Sequence, residues 1–532
     1  MLEPSIAVID YIIIGLYFLF VIGLGLYFKN KHSSEDDYFM AGRSLTWPVI
    51  GFSLFASNMG SISLIGLAES GYNTGFAVFS YEWMATFVLI LFAVFFLPYY
   101  LKNRIYTIPE FLERRFSSFA RYYFSGVTIT LNVFVDIASG LYAGAIVVKM
   151  AFPELSIVTI IWAISLLAGF YTLLGGLASV VYSDTVQAIM LVGSSIFVTI
   201  AGFNMVGGWD GITASVSAEH LSIIRPADDP NLPWPSLFSG VFLLGFYFWV
   251  TNQFITQRAL AAKDTRQGQW GALFAGFLKL STLFIMVLPG VMAISLFPDL
   301  DEPVNAYPAL IYSLLPAGLL GITLAGFIAA LMSSVDSGLN AASTLFTFDF
   351  YKKFRPGATQ EQTMKVAQIA IGVLMVVSAL WAPQIVKFDS FWDYLQMMLS
   401  FICPPIVAVF IFGLFSRRIN TKGANASIVT GVSLSVLSIG YQVYINLSGA
   451  EDVLPHYLYL AGIIFLICSA VLISVSLATG GPDSGKNWEN LIWTPRFFRE
   501  ETASLEDLPF YYNYRYQSVL LILLIAALLI IF

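Results

Sequence analysis

Residues 47–68 read WPVIGFSLFASNMGSISLIGLA. The run is apolar enough to enter a bilayer, yet its middle, Phe55-Ala-Ser-Asn-Met-Gly-Ser-Ile-Ser63, is small and polar. Gly60 is flanked by Ser57, Asn58, Ser61 and Ser63. Serine and asparagine side chains compete for backbone hydrogen bonds, and glycine relaxes the local backbone. The segment is therefore predicted to unwind near Gly60 and to free backbone carbonyls there. A small-residue face for helix packing is the alternative; Asn58 beside Gly60 favours the break.

The rest of the chain places this segment in a membrane. Of 532 residues, 58% are hydrophobic and only 11% charged, with mean hydropathy +0.78. Soluble chains carry about 25% charged residues, so a soluble enzyme, a nucleic-acid-binding protein and a disordered scaffold are excluded. The net charge of -7 points to no nucleic-acid partner. A spanning helix needs about 20 apolar residues. Fourteen such segments are expected, near 9–28, 47–68, 76–100, 120–150, 155–175, 178–204, 236–258, 270–296, 308–346, 363–383, 389–415, 422–447, 455–479 and 516–532. The runs are continuous rather than alternating, which excludes a β-barrel and gives an all-α polytopic membrane protein. The first run follows no basic region and is too long for a signal sequence, so it reads as a transmembrane helix.

Basic residues test this count. With both termini outside, 22 of the 26 lysines and arginines fall in or beside inside loops, and only Lys149, Arg225 and Lys387 fall outside. That is the asymmetry of the positive-inside rule. Cys403 and Cys468 lie in apolar runs and read as small core residues.

Ionisable residues within spans are expensive and mark function. Here they are Glu82, Asp136, Asp184, Lys279 and Asp336. A buried lysine needs a partner, and Glu82 or Asp136 could supply it. A second small-polar cluster, Ala329-Ala330-Leu-Met-Ser333-Ser334-Val-Asp336-Ser337, offers hydroxyl and carbonyl oxygens that suit a hard cation. Broken helices with such oxygens hold solute and coupling ion near the midplane in secondary transporters. The aromatic run Phe246-Tyr-Phe248-Trp249 could close a pocket. The three histidines, His32, His220 and His456, are scattered in loops and make no catalytic cluster, so no enzyme is expected.

Several motifs together resemble the sodium/solute symporter family, and its sodium/sugar branch in particular. They are Ser57-Asn58-Met-Gly-Ser, Ser80-Tyr-Glu82-Trp83, Tyr106-Thr-Ile-Pro-Glu-Phe, Tyr171-Thr-Leu-Leu-Gly175-Gly176, Ser183-Asp184-Thr-Val-Gln187, Thr251-Asn-Gln-Phe-Ile-Thr-Gln-Arg258 and Gly413-Leu-Phe-Ser-Arg-Arg418. The resemblance implies a five-plus-five inverted repeat: an extra helix and inside loop at 1–46, repeats at 47–204 and 236–415 joined by an outside loop at 205–235, and additional helices at 416–532. The first helix of each repeat would be discontinuous.

The resemblance also implies residues. Sodium would be held by Ala56, Met59, Ala330, Ser333 and Ser334, with Asp184 in a second or exit site for cations. Asn58, Glu82, Lys279 and Gln396 match polar residues that bind a hexose, with Trp249 retained beside the pocket. Other positions depart from the sugar pattern: Ser63, Ala85, Asp136, Gly245, and Phe248 in place of a stacking tyrosine. The pocket thus keeps a polyol-binding skeleton without specificity for galactose. The expected function is sodium-coupled import of a hexose or related polyol by alternating access, with Na+ as coupling ion and no organic cofactor. The alternatives are a sodium symporter for a sialic acid, carboxylate or amino acid, and more remotely a sensor or channel on the same fold. The lack of a long glycosylated loop leans toward a bacterial inner membrane.

Overall fold

The computed structural model describes residues 6–29, 35–152, 154–300, 302–387, 391–448, 453–480, 483, 489–506 and 508–532, and these form a bundle of helices without a sheet. In chain order the helices that matter here are α1 (Val8–Lys29), α2 (Trp47–Asn58), α3 (Ser61–Thr74), α4 (Ser80–Leu91), α5 (Ser118–Leu131), α6 (Ile157–Val206), α7 (Leu237–Thr251), α8 (Gln253–Leu260), α9 (Thr265–Leu280), α10 (Ala306–Leu314), α11 (Leu319–Leu345), α12 (Gln360–Trp381), α13 (Phe391–Phe415), α14 (Thr421–Ser448), α15 (Tyr457–Ala478) and α16 (Tyr514–Ile531). Among the described residues, nine helices are long and apolar enough to cross a bilayer, or ten when the bent pair α7 and α8 is taken as one span.

Local breaks interrupt several of the expected runs. The run expected at 47–68 divides into α2 and α3: Met59 leaves helical geometry with ψ 49° and Gly60 is extended at ψ -177°. The run at 236–258 bends by 45° between α7 and α8. The overlong run at 308–346 divides at Leu315-Pro316-Ala317-Gly318, where Gly318 has φ 87°. Proline removes a backbone donor there, and glycine takes the positive φ without strain.

One expected boundary is absent. The backbone stays helical through Gly175 and Gly176, where the sequence predicts two spans. Paired glycines weaken a helix by about 1 kcal/mol each but, unlike proline, remove no hydrogen bond. The two portions of α6 nonetheless pack on different partners. The Leu173 carbonyl accepts from the Gln368 amide of α12 at 3.2 Å, whereas Ser195 meets the Tyr307 hydroxyl of α10 at 2.9 Å. Fifty residues at 1.5 Å each would run about 75 Å, over twice the thickness of a hydrocarbon core.

Between α3 and α4 the helix is interrupted at Gly75, whose φ is 74° and where a β-carbon would overlap the His220 carbonyl. At the start of α11 the buried Asp10 of α1 acts as a cap from outside. Its Oδ1 accepts from the backbone N–H groups of Gly318 and Gly321, both at 2.7 Å, and its Oδ2 accepts from Ala7 at 2.9 Å. Helix N-termini leave such donors unsatisfied.

A candidate solute cavity at two broken helices

The break in α2–α3 is held open by its own residues. The last helical bond is Met59 N–H to Phe55 carbonyl at 2.8 Å, and the Asn58 carbonyl is taken by the Ser63 hydroxyl at 2.6 Å. Among the described residues, no backbone N–H donates to the carbonyls of Ala56 or Met59. The second break is capped locally: the Asn252 side chain accepts from Phe254 N–H at 3.0 Å and starts α8. Just before it, Tyr247–Thr251 forms a wide π-helical turn, as does Asn132–Ile137 in the span that begins with α5. Such turns often present side chains at functional sites. Here they carry Phe248, Trp249 and Asp136.

A cavity of about 150 Å³ opens between these elements. Asn58, Ser63, Glu82, Asp136, Phe248, Trp249, Lys279 and Gln396 all line it, together with Ser57, Tyr81 and Ser334. Lys279 is buried, with 1% of its side chain exposed, and pairs with Glu82 rather than Asp136. Its ammonium also donates to the Asn58 side chain and lies 5.4 Å from the Trp249 ring centre. The lysine on α9 thus joins the broken helix, α4 and the aromatic turn. Phe248 packs against Trp249 and Phe254, with ring centres 5.3 and 6.1 Å away.

Ser334, on α11, borders the same cavity, and its hydroxyl is 3.5 Å from the Ser57 carbonyl. The oxygens freed at Ala56 and Met59 and the serine on the facing helix are hard, neutral donors, the type that suits a small hard cation. The side chains of Ala330 and Ser333 lie outside the described residues.

Toward the end of the bundle rich in lysine and arginine, a buried cluster lies next to Ser57. Arg258, on α8, pairs with Asp184 at 3.0 Å and donates to Ser53 at 2.7 Å and to Ser337. Ser53 and Ser57 donate to the same Asp184 oxygen, at 2.7 and 3.3 Å. Sequence reasoning singled out Asp184 but gave Arg258 no role. The signal for it was an arginine in the motif immediately after a predicted break.

A solute cavity at two interrupted helices within an apolar bundle, with free carbonyls and a buried charge pair, defines a membrane transporter. Comparison with known proteins gives the family. A family model described as Sodium:solute symporter family matches residues 38–431, and the chain belongs to that family. It is 33% identical to a sodium/glucose cotransporter 4 of Danio rerio, over 94% of this chain and 83% of that protein. It is 32% identical to a sodium/myo-inositol cotransporter of Mus musculus, over 94% and 78% respectively. Its fold matches a solved Na+-coupled sialic acid symporter with TM-score 0.79 at 22% identity, covering 90% of this chain and 99% of that one. It also matches a nucleobase-cation-symport-1 family transporter with TM-score 0.56 at 12% identity, over 88% of this chain. The protein is therefore a sodium-coupled solute symporter, multi-pass in a membrane, and not an enzyme.

Proposed function

We propose that this symporter imports a hexose or related polyol together with sodium by alternating access. The observation that carries the reading is the single cavity that gathers Asn58, Glu82, Lys279, Gln396, Phe248 and Trp249 beside Ser334. A sugar hydroxyl donates and accepts at once, and Glu82, Lys279 and Asn58 supply both kinds of partner, two of them charged and hence stronger. The flat faces of Phe248 and Trp249 provide an apolar wall for a ring. Relatives at about a third identity are a glucose and a myo-inositol cotransporter, which supports a polyhydroxylated solute.

Sodium sits at the carbonyls of Ala56 and Met59 with Ala330, Ser333 and Ser334, and so bridges the broken α2–α3 pair to α11. That bridge favours the state open to the outside. Solute then binds against Asn58, Glu82, Lys279 and Gln396, Phe248 closes on it, and both ligands leave on the other side. Asp184, held by Arg258 beside Ser57 and Ser337, passes the cation toward that exit. Each sodium contributes about 2.3 kcal/mol per 100 mV besides its concentration gradient. The architecture we infer is 14 spans with two five-helix repeats, at 47–204 and 236–415, both termini outside, in a bacterial inner membrane. An anionic solute such as a sialic acid would meet two carboxylates, Glu82 and Asp136, against one ammonium that is already paired.

Uptake into proteoliposomes tests the proposal. The solutes are labelled glucose, galactose, xylose, myo-inositol, sialic acid and proline, with and without an inward sodium gradient. Sodium-driven accumulation of a sugar or inositol, lost in Ser334→Ala, is expected. Accumulation of sialic acid or proline alone overturns the sugar assignment, and sugar flux indifferent to sodium overturns the coupling site.

A further inference from the structure

Two carboxylates and one ammonium line the solute cavity, and they do not balance. Glu82 is neutralised by Lys279. Asp136 is not neutralised: among the described residues no lysine, arginine or histidine lies within ion-pair distance of it. It accepts a hydrogen bond from Asn132, whose amide, turned to satisfy its neighbours, donates to Asp136 Oδ2 at 3.1 Å and to the Thr128 carbonyl at 3.3 Å. The wide turn Asn132–Ile137 carries Asp136 into the cavity wall beside Val135, while the charge pair stands on α4 and α9. The elements around that wall contribute Gln396, Leu395 and Leu399 from α13 and Gly245 and Phe248 from α7, all neutral. The cavity therefore holds one carboxyl that no ammonium or guanidinium among the described residues offsets, deep in an apolar bundle.

A carboxylate there is costly unless a cation or a donor proton meets it. A fully hydroxylated neutral sugar brings only neutral donors, whereas an ammonium brings charge and donors together and forms the stronger bond. We propose that the solute carries a protonated amine: an amino sugar or another aminated polyol, its ammonium bound by Asp136 and its hydroxyls by the Asn58, Glu82 and Lys279 group. This inference rests on the polyol-binding reading of the same cavity and narrows it. Asp136 is then the residue that selects the charge of the solute, separate from those that engage its hydroxyls.

The test is paired competition in proteoliposomes under a fixed inward sodium gradient, at about pH 7, where the amines are still largely protonated. Glucose and galactose are compared with their 2-amino counterparts, and with the N-acetylated forms, which keep the nitrogen but lose the charge. The quantity read is the ratio of half-competing concentrations within each variant, which does not depend on how much protein folds. The wild type is expected to favour the amine over its neutral parent by about tenfold, the scale of one charge-assisted hydrogen bond. The ratio falls to near one in Asp136→Asn and is largely kept in Asp136→Glu. Sodium-driven uptake with no preference for the amine in the wild type overturns this inference and leaves the sugar reading standing, as does a preference unchanged in Asp136→Asn. Sodium-driven uptake that none of these solutes inhibits overturns both.

Discussion

Arg258 and Asp184, 74 residues apart in sequence, meet at 3.0 Å with 1% and 0% of their side chains exposed. The pair joins the half-helix after the second break to α6, and the serines Ser53, Ser57 and Ser337 close around it from α2 and α11. With these serines the buried pair ties four helices together. Removing one partner leaves an uncompensated charge, at a cost of about 3–5 kcal/mol. Asp184→Asn is therefore expected to lower the melting temperature of the purified protein markedly. The combined Asp184→Leu, Arg258→Met variant should recover much of that loss while sodium-driven uptake stays impaired. Recovery of full transport in the double variant would show that the pair serves packing alone.

Ser334 is tested through sodium rather than through solute. Its hydroxyl approaches the Ser57 carbonyl across the gap between α11 and the broken helix. Ser334→Ala removes one oxygen from the donor set and should raise the sodium concentration for half-maximal uptake by about tenfold, the equivalent of one hydrogen-bond-sized contribution. Ser334→Thr, which keeps the oxygen, should recover much of the effect.

Lys279 and Glu82 depend on each other. Lys279→Met strands the Glu82 carboxylate and Glu82→Gln strands the ammonium, so each single change should reduce both thermal stability and solute binding. The double variant should regain stability, because no charge is left alone, but not binding, because the donors and acceptors for the solute are gone. A thermal-shift measurement beside an equilibrium binding measurement separates the two effects.

Glu113 carries the pH dependence. It lies on the short helix Ile108–Arg115 outside the spans and accepts from Lys353 and Ser118, both at 2.8 Å, and from Arg121. Partial burial acts to raise its pKa, but the hydrogen bonds from Lys353, Arg121 and Ser118 outweigh it and hold the carboxyl down at about 2. The depressed value means that its contribution is present above the unfolded-state pKa, about 4.3, and fades as pH falls from there through the folded value. Thermal unfolding followed from pH 6 to pH 3 should show a loss in the wild type. Glu113→Gln should begin less stable and lose less over the same interval.

Much of this was legible before the fold was known, and the reason differs by residue. The interruption at Gly60 is local: glycine among serines and an asparagine suffices to announce it. Lys279 announced that it needs a partner, because an ammonium in an apolar run is untenable alone. Which carboxylate supplies it was not legible, since Glu82 and Asp136 are both acidic and only packing brings Glu82 to it. Arg258 bonding Ser53, 205 residues away, has no sequence signature. Nor did the division near Pro316 register, because apolar runs on both sides masked a short connection. At Gly175-Gly176 the backbone stays helical where the sequence suggested a boundary, because glycine, unlike proline, leaves the helical hydrogen bonds intact, while the two portions of α6 still pack on different partners.

The capping of α11 by Asp10 makes a handle of the first helix. Asp10 holds the first backbone donors of the helix that carries Ser334 and Ser337, while Ile9, Ile12 and Leu16 beside it stand exposed on the outer surface of the bundle. Displacement of α11 at that end is therefore coupled to a helix that contributes no residue to the cavity lining. A fluorophore placed on the exposed face of α1 would report the movement of α11 from the outside of the protein, without disturbing a single residue of the cavity.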